Sequence, residues 1–346
     1  MIPAPVQNSA FVASHSCAFC KGFGIFIISV FLFSHSFSQN AIYSESYPVL
    51  HTVSNADSVA AFKKKTNNSR TWLVSGINAA SYGGSLMILS AAWYRDYDKT
   101  PFHVFNDSKE WLQIDKLGHG WSAYNTGRAS AALWKWAGFS NKNATLIGGL
   151  SGTVYMTVIE FLDAHSSEWG WSWADMAANL FGSGLFIGQQ LAWEEQRIQY
   201  KFSFHSKKYD DPQLRNRSDE LFGSSWNERM LKDYNGQTYW FSFNLKSFFP
   251  ESKLPAWLSL SVGYGADGMF GGFENIAKDE NDNIIFDRRD IARKRQFYLA
   301  PDIDLTKIKT DSRFLRTLLS ALNALKFPAP AVELTKGKLK LHLIYF

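Results

Sequence analysis

Cysteine is nearly absent from this sequence, and several short enzyme motifs are missing as well. The only two cysteines, Cys17 and Cys20, precede an apolar run from Phe23 to Phe33. If that run belongs to a removed leader, the rest of the chain can form neither a disulfide nor a Cys-x-x-Cys site. No Gly-x-Ser-x-Gly and no His-Glu-x-x-His occurs. The sequence therefore does not predict a nucleophile-elbow hydrolase or a zincin protease.

A strong charge of either sign is lacking too. The 36 basic and 31 acidic residues give a net charge of +5, spread along the chain. A nucleic-acid-binding domain would carry a basic patch, so no nucleic-acid partner is predicted. Aromatic residues, in contrast, are abundant, with 13 Trp, 14 Tyr and 28 Phe. Such rings suit a membrane interface, and a large soluble core rich in aromatics is the alternative.

The N-terminus has the features of a secretory signal peptide, assigned to residues 1–39. Lys21 is the only charged residue before the apolar run, and small and polar residues follow it up to Gln39. This order of segments is typical of a cleaved leader. Because both cysteines stand before the apolar run rather than after it, the sequence predicts no lipid anchor. A polar linker is expected over residues 40–70.

Four apolar helices are expected over residues 71–200. Thr71 to Tyr94 is free of charge for 24 residues, which is long enough to span a bilayer. Further helices are predicted from Lys116 to about Ala137, from Asn143 to Asp163, and after Ser172. Small residues at a spacing of four let helices approach closely. The glycines assigned to such packing are Gly76, Gly84, Gly148, Gly152, Gly184 and Gly188.

Residues 201–346 change character, because apolar residues there alternate with polar ones. The alternation is clearest at 239–245, 258–264 and 339–345, and a period of two predicts strands with one apolar face. Asp302 and Asp304 are interpreted as solvated charges. The predicted fold class is mainly α: a four-helix, membrane-associated bundle followed by a smaller α+β region. Its short antiparallel sheet is expected to pack on the bundle or lie at the membrane surface.

The helical region carries polar residues in pairs near the ends of apolar segments. Residues three or four apart share one face of a helix. The pairs are Asp115 and His119, Glu160 and Asp163, and Asp175 and Asn179. Acids, an imidazole and an amide that converge in this way can form an ion site, a proton relay or an anion site. Lys116, beside the first pair, could neutralise a phosphate.

Helix capping is the alternative interpretation for part of this set. Asp115 stands where an N-cap is expected, and Ser172 with Asp175 matches a capping box. Glu160 and Asp163 do not fit this explanation, because acids at a helix C-terminus oppose the helix dipole. Helix formation therefore explains these two acids least well.

Together, the motifs resemble those of a known family. Asp115-Lys-x-x-His119, the acidic pair, and Gly170-Trp-Ser-Trp-x-Asp175 followed by Gly182 resemble the YfiM-like predicted periplasmic lipoproteins. A more distant resemblance is to the VanZ-like membrane proteins. Gly120 departs from both families, which usually carry an aromatic residue after the histidine. The resemblance implies a fold and a location in the cell envelope, and no reaction.

The leading hypothesis is an exported, membrane-associated protein of a Gram-negative-type cell envelope. Its helices would present a polar pocket that binds a lipid headgroup or a lipid-linked envelope intermediate, with membrane lipids as partners. The pocket would consist of Asp115, Lys116, His119, Glu160, Asp163, Asp175 and Asn179. No cofactor and no metal is predicted. The alternatives are a non-catalytic envelope scaffold and a metal-assisted hydrolase that uses His119 with the carboxylates.

Overall fold

The computed structural model describes residues 66–90, 94, 97–279 and 281–346. The predicted signal peptide and nearly all of the predicted linker lie outside these residues. Four long helices open the described part of the chain: α1 (Asn68–Leu89), α2 (Ile114–Trp136), α3 (Asn141–Asp163) and α4 (Trp173–Ala192). Asn67, Ser140 and Ser172 cap α1, α3 and α4, since each side chain accepts a backbone N–H of the first turn.

Helix α2 packs against both α3 and α4, and glycines bring the backbones together. A methyl group on Gly148 of α3 would stand 2.2 Å from the backbone nitrogen of Ala131 on α2. A methyl group on Gly182 of α4 would stand 2.0 Å from the carbonyl oxygen of Gly120 on α2. Only hydrogen fits at such contacts, so these glycines set the distance between the helices.

The glycines predicted to pack helices fall into two groups. Gly148 and Gly152 lie against α2, whereas Gly76, Gly184 and Gly188 have open space where a methyl group would stand. Gly84 is partly exposed on α1. The same contacts account for Gly120, where a side chain would meet the backbone of Ala178 and the ring of Tyr200. There is no room for an aromatic residue at that position.

The remainder of the chain is dominated by one antiparallel sheet. Its six strands are β1 (Ile198–Phe204), β2 (Gln237–Asn244), β3 (Leu258–Asp267), β6 (Lys294–Ile303), β7 (Ala329–Thr335) and β8 (Lys338–Tyr345), hydrogen-bonded in that order. Strands β4 (Ile276–Lys278) and β5 (Ile284–Asp287) form a separate pair. Shorter helices are α5 (Pro212–Phe222), α6 (Trp226–Lys232), α7 (Leu245–Phe248) and α8 (Arg313–Leu322).

The predicted fold class is wrong. The structure is 47% helical and 23% strand, with a six-stranded sheet rather than a short one after a mainly α bundle. Strand β1 follows α4 within a few residues and packs with β2 against α2. The apolar residues of β1, from Ile198 to Phe204, do alternate with Gln199, Lys201 and Ser203, but the expected boundary between the helical region and the strands, at residue 200, divided this signal.

One buried face of the sheet carries many polar side chains among its aromatic residues. The interpretation of Asp302 and Asp304 as solvated charges is wrong, because both are buried. Asp302 is paired with two lysines. Its carboxylate lies 3.0 Å from the Lys201 ammonium and 3.4 Å from that of Lys326, with all three side chains fully enclosed. Ser261 also donates to Asp302. Paired charges of this kind can be buried because each has its counter-ion and its hydrogen bonds.

The contact between α2 and α4 gives a direct test of helix packing. Gly182→Ala places a methyl group against the Gly120 carbonyl, so we expect the free energy of unfolding to fall by about 1–3 kcal/mol. Gly184→Ala, one half-turn away on the open side of α4, is the matched control and should stabilise by up to about 1 kcal/mol through helix propensity. Thermal unfolding measures both, and equal melting temperatures would contradict this account of the packing.

Candidate functional site

Three helix ends meet at one place in the bundle. Helices α2 and α4 begin there and α3 ends there, so the first turns of α2 and α4 face the last turn of α3. Asp115, Lys116 and His119 come from α2, Glu160 from α3 and Asp175 from α4. We call these five residues the charged cluster. It lies mostly buried, with side-chain exposures between 1% and 21%.

The start of α2 is fixed by an unusual backbone. Trp111, Leu112 and Gln113 all have positive φ angles, of 46°, 50° and 67°. Non-glycine residues hold this conformation at a cost of about 1–3 kcal/mol each, and only where neighbours enforce it. Here the Trp111 N–H donates to the Gly272 carbonyl, and the Tyr264 hydroxyl donates to that of Leu112. Gln113, not Asp115, is the residue that precedes the helix, so Asp115 is free to point into the cluster.

Lys116 is the centre of the cluster. Its ammonium group donates to three carboxylates: Asp107 at 2.5 Å, Asp175 at 2.9 Å and Asp115 at 3.0 Å. Asp107 belongs to the loop before α2, and its other oxygen accepts from the Ser172 hydroxyl at 2.5 Å. One lysine therefore connects α2, α4 and the preceding loop.

His119 faces the remaining oxygens of the same carboxylates. Its Nε2 lies 3.9 Å from Oδ1 of Asp115 and 4.0 Å from Oδ1 of Asp175. Its Nδ1 lies 3.2 Å from Oε1 of Glu160. The distance to Glu160 suits a hydrogen bond, but the ring N–H is not directed at the oxygen, and neither atom has a hydrogen-bond partner. Charge attraction, rather than a formed hydrogen bond, describes this contact.

Several buried polar atoms around His119 are unpaired. Oε1 of Glu160, Oδ1 of Asp175 and both side-chain atoms of Asn179 make no hydrogen bond, although Glu160 and Asn179 are 1% and 0% exposed. Asn179 stands one turn after Asp175 on the same face of α4. Buried polar atoms are nearly always satisfied in proteins, so such a group of unpaired atoms needs an explanation.

Two of the predicted pocket residues are not hydrogen-bonded or ion-paired to the others. Asp163 accepts a 2.5 Å hydrogen bond from the Tyr94 hydroxyl, which follows α1 in the chain. Asn179 has no hydrogen-bond partner at all. Ser172 accepts the Asp175 N–H at 3.0 Å, so this serine acts as the cap while the Asp175 carboxylate binds Lys116. Capping and cluster formation thus coexist at the start of α4.

Sequence reasoning missed Asp107 and Tyr234. The Tyr234 hydroxyl donates to Oδ1 of Asp115 at 2.9 Å from a position 119 residues later. Neither residue belongs to a periodic pattern, so no local signal marks it. Nearby Glu110 also feels the negative charge: burial and then the Asp115 carboxylate raise the pKa of Glu110 to about 8.

The charge balance limits what this arrangement can bind. Asp107, Asp115, Asp175 and Glu160 provide four carboxyl groups, against the ammonium of Lys116 and the imidazole of His119, which adds a second positive charge when it is protonated. An anion brought to the cluster would meet net negative charge, whereas a cation would be attracted. Within the described part of the chain, Asp115, His119 and Asp175 form the one group whose ligand atoms, all within 4.8 Å of one another, could hold a metal ion.

Residues 104–187 match the family described as Predicted periplasmic lipoprotein (DUF2279). The matched segment includes every residue of the charged cluster, and it supports both the resemblance to the YfiM-like proteins and an exported, cell-envelope location. No curated protein and no solved structure matches the chain. The resemblance to the VanZ-like proteins and the absence of a lipid anchor stay predictions.

Lys116 can be tested as the residue that holds the cluster together. Lys116→Met leaves three buried carboxylates without their common counter-ion, so we expect the free energy of unfolding to fall by about 3 kcal/mol or more. Lys109→Met removes an exposed lysine from the preceding loop and should change stability by less than about 0.5 kcal/mol. Chemical denaturation compares the two variants, and similar midpoints would show that Lys116 does not stabilise the bundle.

Proposed function

We propose that this chain is a membrane-embedded protein of the cell envelope that presents its charged cluster at the depth of the lipid headgroups. There it would bind a polar headgroup or a lipid-linked intermediate. The observation that carries the proposal is a reversed polarity: on α3, α4 and one face of the sheet, the large exposed side chains are mostly apolar, while many polar side chains are enclosed. A water-soluble domain has the opposite distribution.

Helix α4 has this reversal along its whole length. Its exposed side chains are apolar, from Trp173 through Leu180 and Phe181 to Leu191. Its polar residues all face the protein interior. They are Asp175, Asn179, Ser183, Gln189 and Gln190. In water, exposing this apolar surface is unfavourable, whereas in lipid an apolar surface is the favourable one.

Helix α3 repeats the pattern. Among the described residues it is the one helix long and apolar enough to cross a membrane by its own composition; α4 would cross beside it, with its polar side covered by α2 and α3. Its exposed stripe, at spacings of three and four, consists of Ile147, Leu150, Val154, Val158 and Phe161. Its one fully buried acid is Glu160, which faces His119.

The sheet continues this surface. Phe181 of α4 contacts Phe241 of β2 edge-on at 6.1 Å. In the strand register, Phe241 pairs with Val262, Val262 with Leu299, Leu299 with Val332, and Val332 with Leu341. The last four of these residues are exposed, so one apolar row crosses five strands, or about 19 Å at the usual strand spacing.

Two tryptophans indicate that the occupant of this surface is a bilayer. Trp173 and Trp193 stand at the two ends of α4 and are 68% and 41% exposed. They are 20 residues apart, which corresponds to about 30 Å along a helix, the thickness of a hydrocarbon core. Tryptophan at both interfaces is typical of membrane-embedded elements. A second copy of this chain would give no reason for that spacing.

The charged cluster would then lie near one membrane surface. Asp175 is two residues from Trp173, and Glu160 is next to the exposed Phe161, so the cluster is level with the aromatic residues at this end. Its buried position beside the headgroup region supports a ligand with a polar head. A scaffold, the alternative function, would use the same polar contacts only to hold the helices together.

Depth measurements along α4 test the membrane proposal. Single cysteines at Trp173, Gly184 and Trp193, in a full chain with Cys17 and Cys20 changed to serine, carry an environment-sensitive fluorophore. The protein is reconstituted in phosphatidylethanolamine–phosphatidylglycerol vesicles with nitroxide lipids labelled near the glycerol or near the chain end. We expect the deep nitroxide to quench position 184 most, and the shallow one to quench 173 and 193 most.

Asn281→Cys, on an exposed loop, is the matched control and should not be quenched by either lipid. Uniformly shallow quenching along α4 would mean that the helix lies on the surface, which contradicts the proposal. The fluorophores on α4 could instead be protected from water without vesicles, and more so at higher protein concentration. That result would assign the apolar surface to contact with a second copy of the chain.

A further inference from the structure

We infer that Asp115, His119 and Asp175 bind one divalent cation, through Oδ1 of each aspartate and Nε2 of the histidine. The sequence alone predicts no metal, because one histidine among acids is a weak signature. The geometry changes that expectation. The inference deepens the proposed function and rests on it in one respect: a bound cation would attract the phosphate of a headgroup, which the cluster alone repels.

The two aspartates divide their oxygens between two tasks. Oδ2 of Asp115 and Oδ2 of Asp175 both accept from the Lys116 ammonium. Oδ1 of each then faces His119 Nε2, at 3.9 and 4.0 Å. Two ligands about 2.1 Å from one tetrahedral ion lie about 3.4 Å apart, so Nε2 would approach each Oδ1 by about half an ångström on binding a single ion. Lys116 bridges the two carboxylates through their Oδ2 atoms, and Oδ1 of Asp115 also accepts from the Tyr234 hydroxyl, which leaves further lone pairs on both Oδ1 atoms.

Glu160 completes the arrangement as an outer partner of the histidine. Metal-binding histidines usually direct their second ring nitrogen at a carboxylate, which fixes the tautomer and orients the ring. Oε1 of Glu160 lies 3.2 Å from Nδ1, and a small rotation of the ring would align the N–H with it. Nε2 would then offer its lone pair to the space between the aspartates. Glu160 is thus a positioning residue rather than a ligand.

The unpaired atoms are an independent reason to expect a ligand. Oδ1 of Asp175 is buried and makes no hydrogen bond, although the same carboxylate is held firmly through its other oxygen. The side chain of Asn179, one turn further along α4, is fully buried and equally unpaired. Oxygen atoms left unsatisfied in this way are what a hard or borderline cation coordinates.

The ligand set indicates the class of metal. Two carboxylates and one imidazole suit Mn²⁺ or Zn²⁺ better than a thiolate-preferring ion, and the histidine makes a pure oxygen site for Ca²⁺ or Mg²⁺ less apt. Three protein ligands leave positions for water or for an oxygen of a second molecule. An oxygen of a headgroup phosphate would take one of these positions.

Electron paramagnetic resonance with Mn²⁺ tests the site in the full chain, first stripped with a chelator and held in phosphate-free detergent micelles. We expect one bound Mn²⁺ whose electron spin-echo shows coupling to ¹⁴N. His119→Gln should abolish the coupling and weaken binding about tenfold or more. His342→Gln is the matched control, because His342 also lies against a carboxylate, that of Glu333, and it should change neither.

Glu160→Gln separates a positioning role from ligation. It should weaken Mn²⁺ binding about 10–100-fold while the ¹⁴N coupling of the remaining bound ion persists. Wild-type protein that binds no Mn²⁺, or binds it without ¹⁴N coupling, would overturn the inference. Thermal unfolding of each variant in the absence of metal shows whether it folds. If His119→Gln does not fold, Asp175→Asn, which is close in shape to the native residue, provides the second test.

The same electron spin-echo measurement tests the binding of a headgroup separately from the binding of the cation. Phosphatidylglycerol added to the Mn²⁺-loaded protein should introduce ³¹P coupling, and inorganic phosphate at the same concentration serves as the comparison. Coupling with the lipid alone supports a headgroup ligand, while coupling with both identifies phosphate itself as the group bound. Persistent ¹⁴N coupling with no ³¹P coupling would refute the headgroup function and leave the cation site intact.

Discussion

The ion contacts of Lys116 are the interaction on which the site depends. One ammonium group joins Asp107 from a loop, Asp115 from α2 and Asp175 from α4, and each of these segments starts a helix or leads into one. Burying four carboxylates near one another is unfavourable, and this single cation offsets only part of their charge. The remaining negative charge would attract a positive ion to the space beside His119. The contacts that stabilise the helix ends therefore also gather the carboxylates of the inferred cation site.

The distribution of apolar and polar side chains separates the surface from the site. Helices α3 and α4 and one face of the sheet expose apolar side chains, while the interior holds polar ones, including Lys201 and Asp302 as an ion pair. Glycine contacts between α2 and its two neighbours keep the backbones close enough for short side chains to meet. A methyl group at Gly182 would push α4, and with it Asp175, away from His119. Helix packing and site geometry are thus one constraint.

Much of the helical region could be predicted from the sequence. Uncharged runs and capping residues gave the helices, and acids at the end of α3 stood out because they oppose the helix dipole. The sheet was underestimated for a physical reason. Its buried positions include Gln199, Lys201, Ser203 and Asp302, which look solvated in a linear sequence, and the boundary expected at residue 200 divided the alternation of β1.

The sequence by itself determined which groups could converge, because spacing along a helix assigns Asp115 with His119, and Asp175 with Asn179, to common faces. Only the tertiary structure decided how they combine. Asp107 and Tyr234 join from distant segments without any periodic signal, Asp163 is held by Tyr94, and each aspartate divides its two oxygens between Lys116 and His119. Helical spacing is a local property of the chain, whereas the orientation of an individual oxygen depends on every segment packed around it.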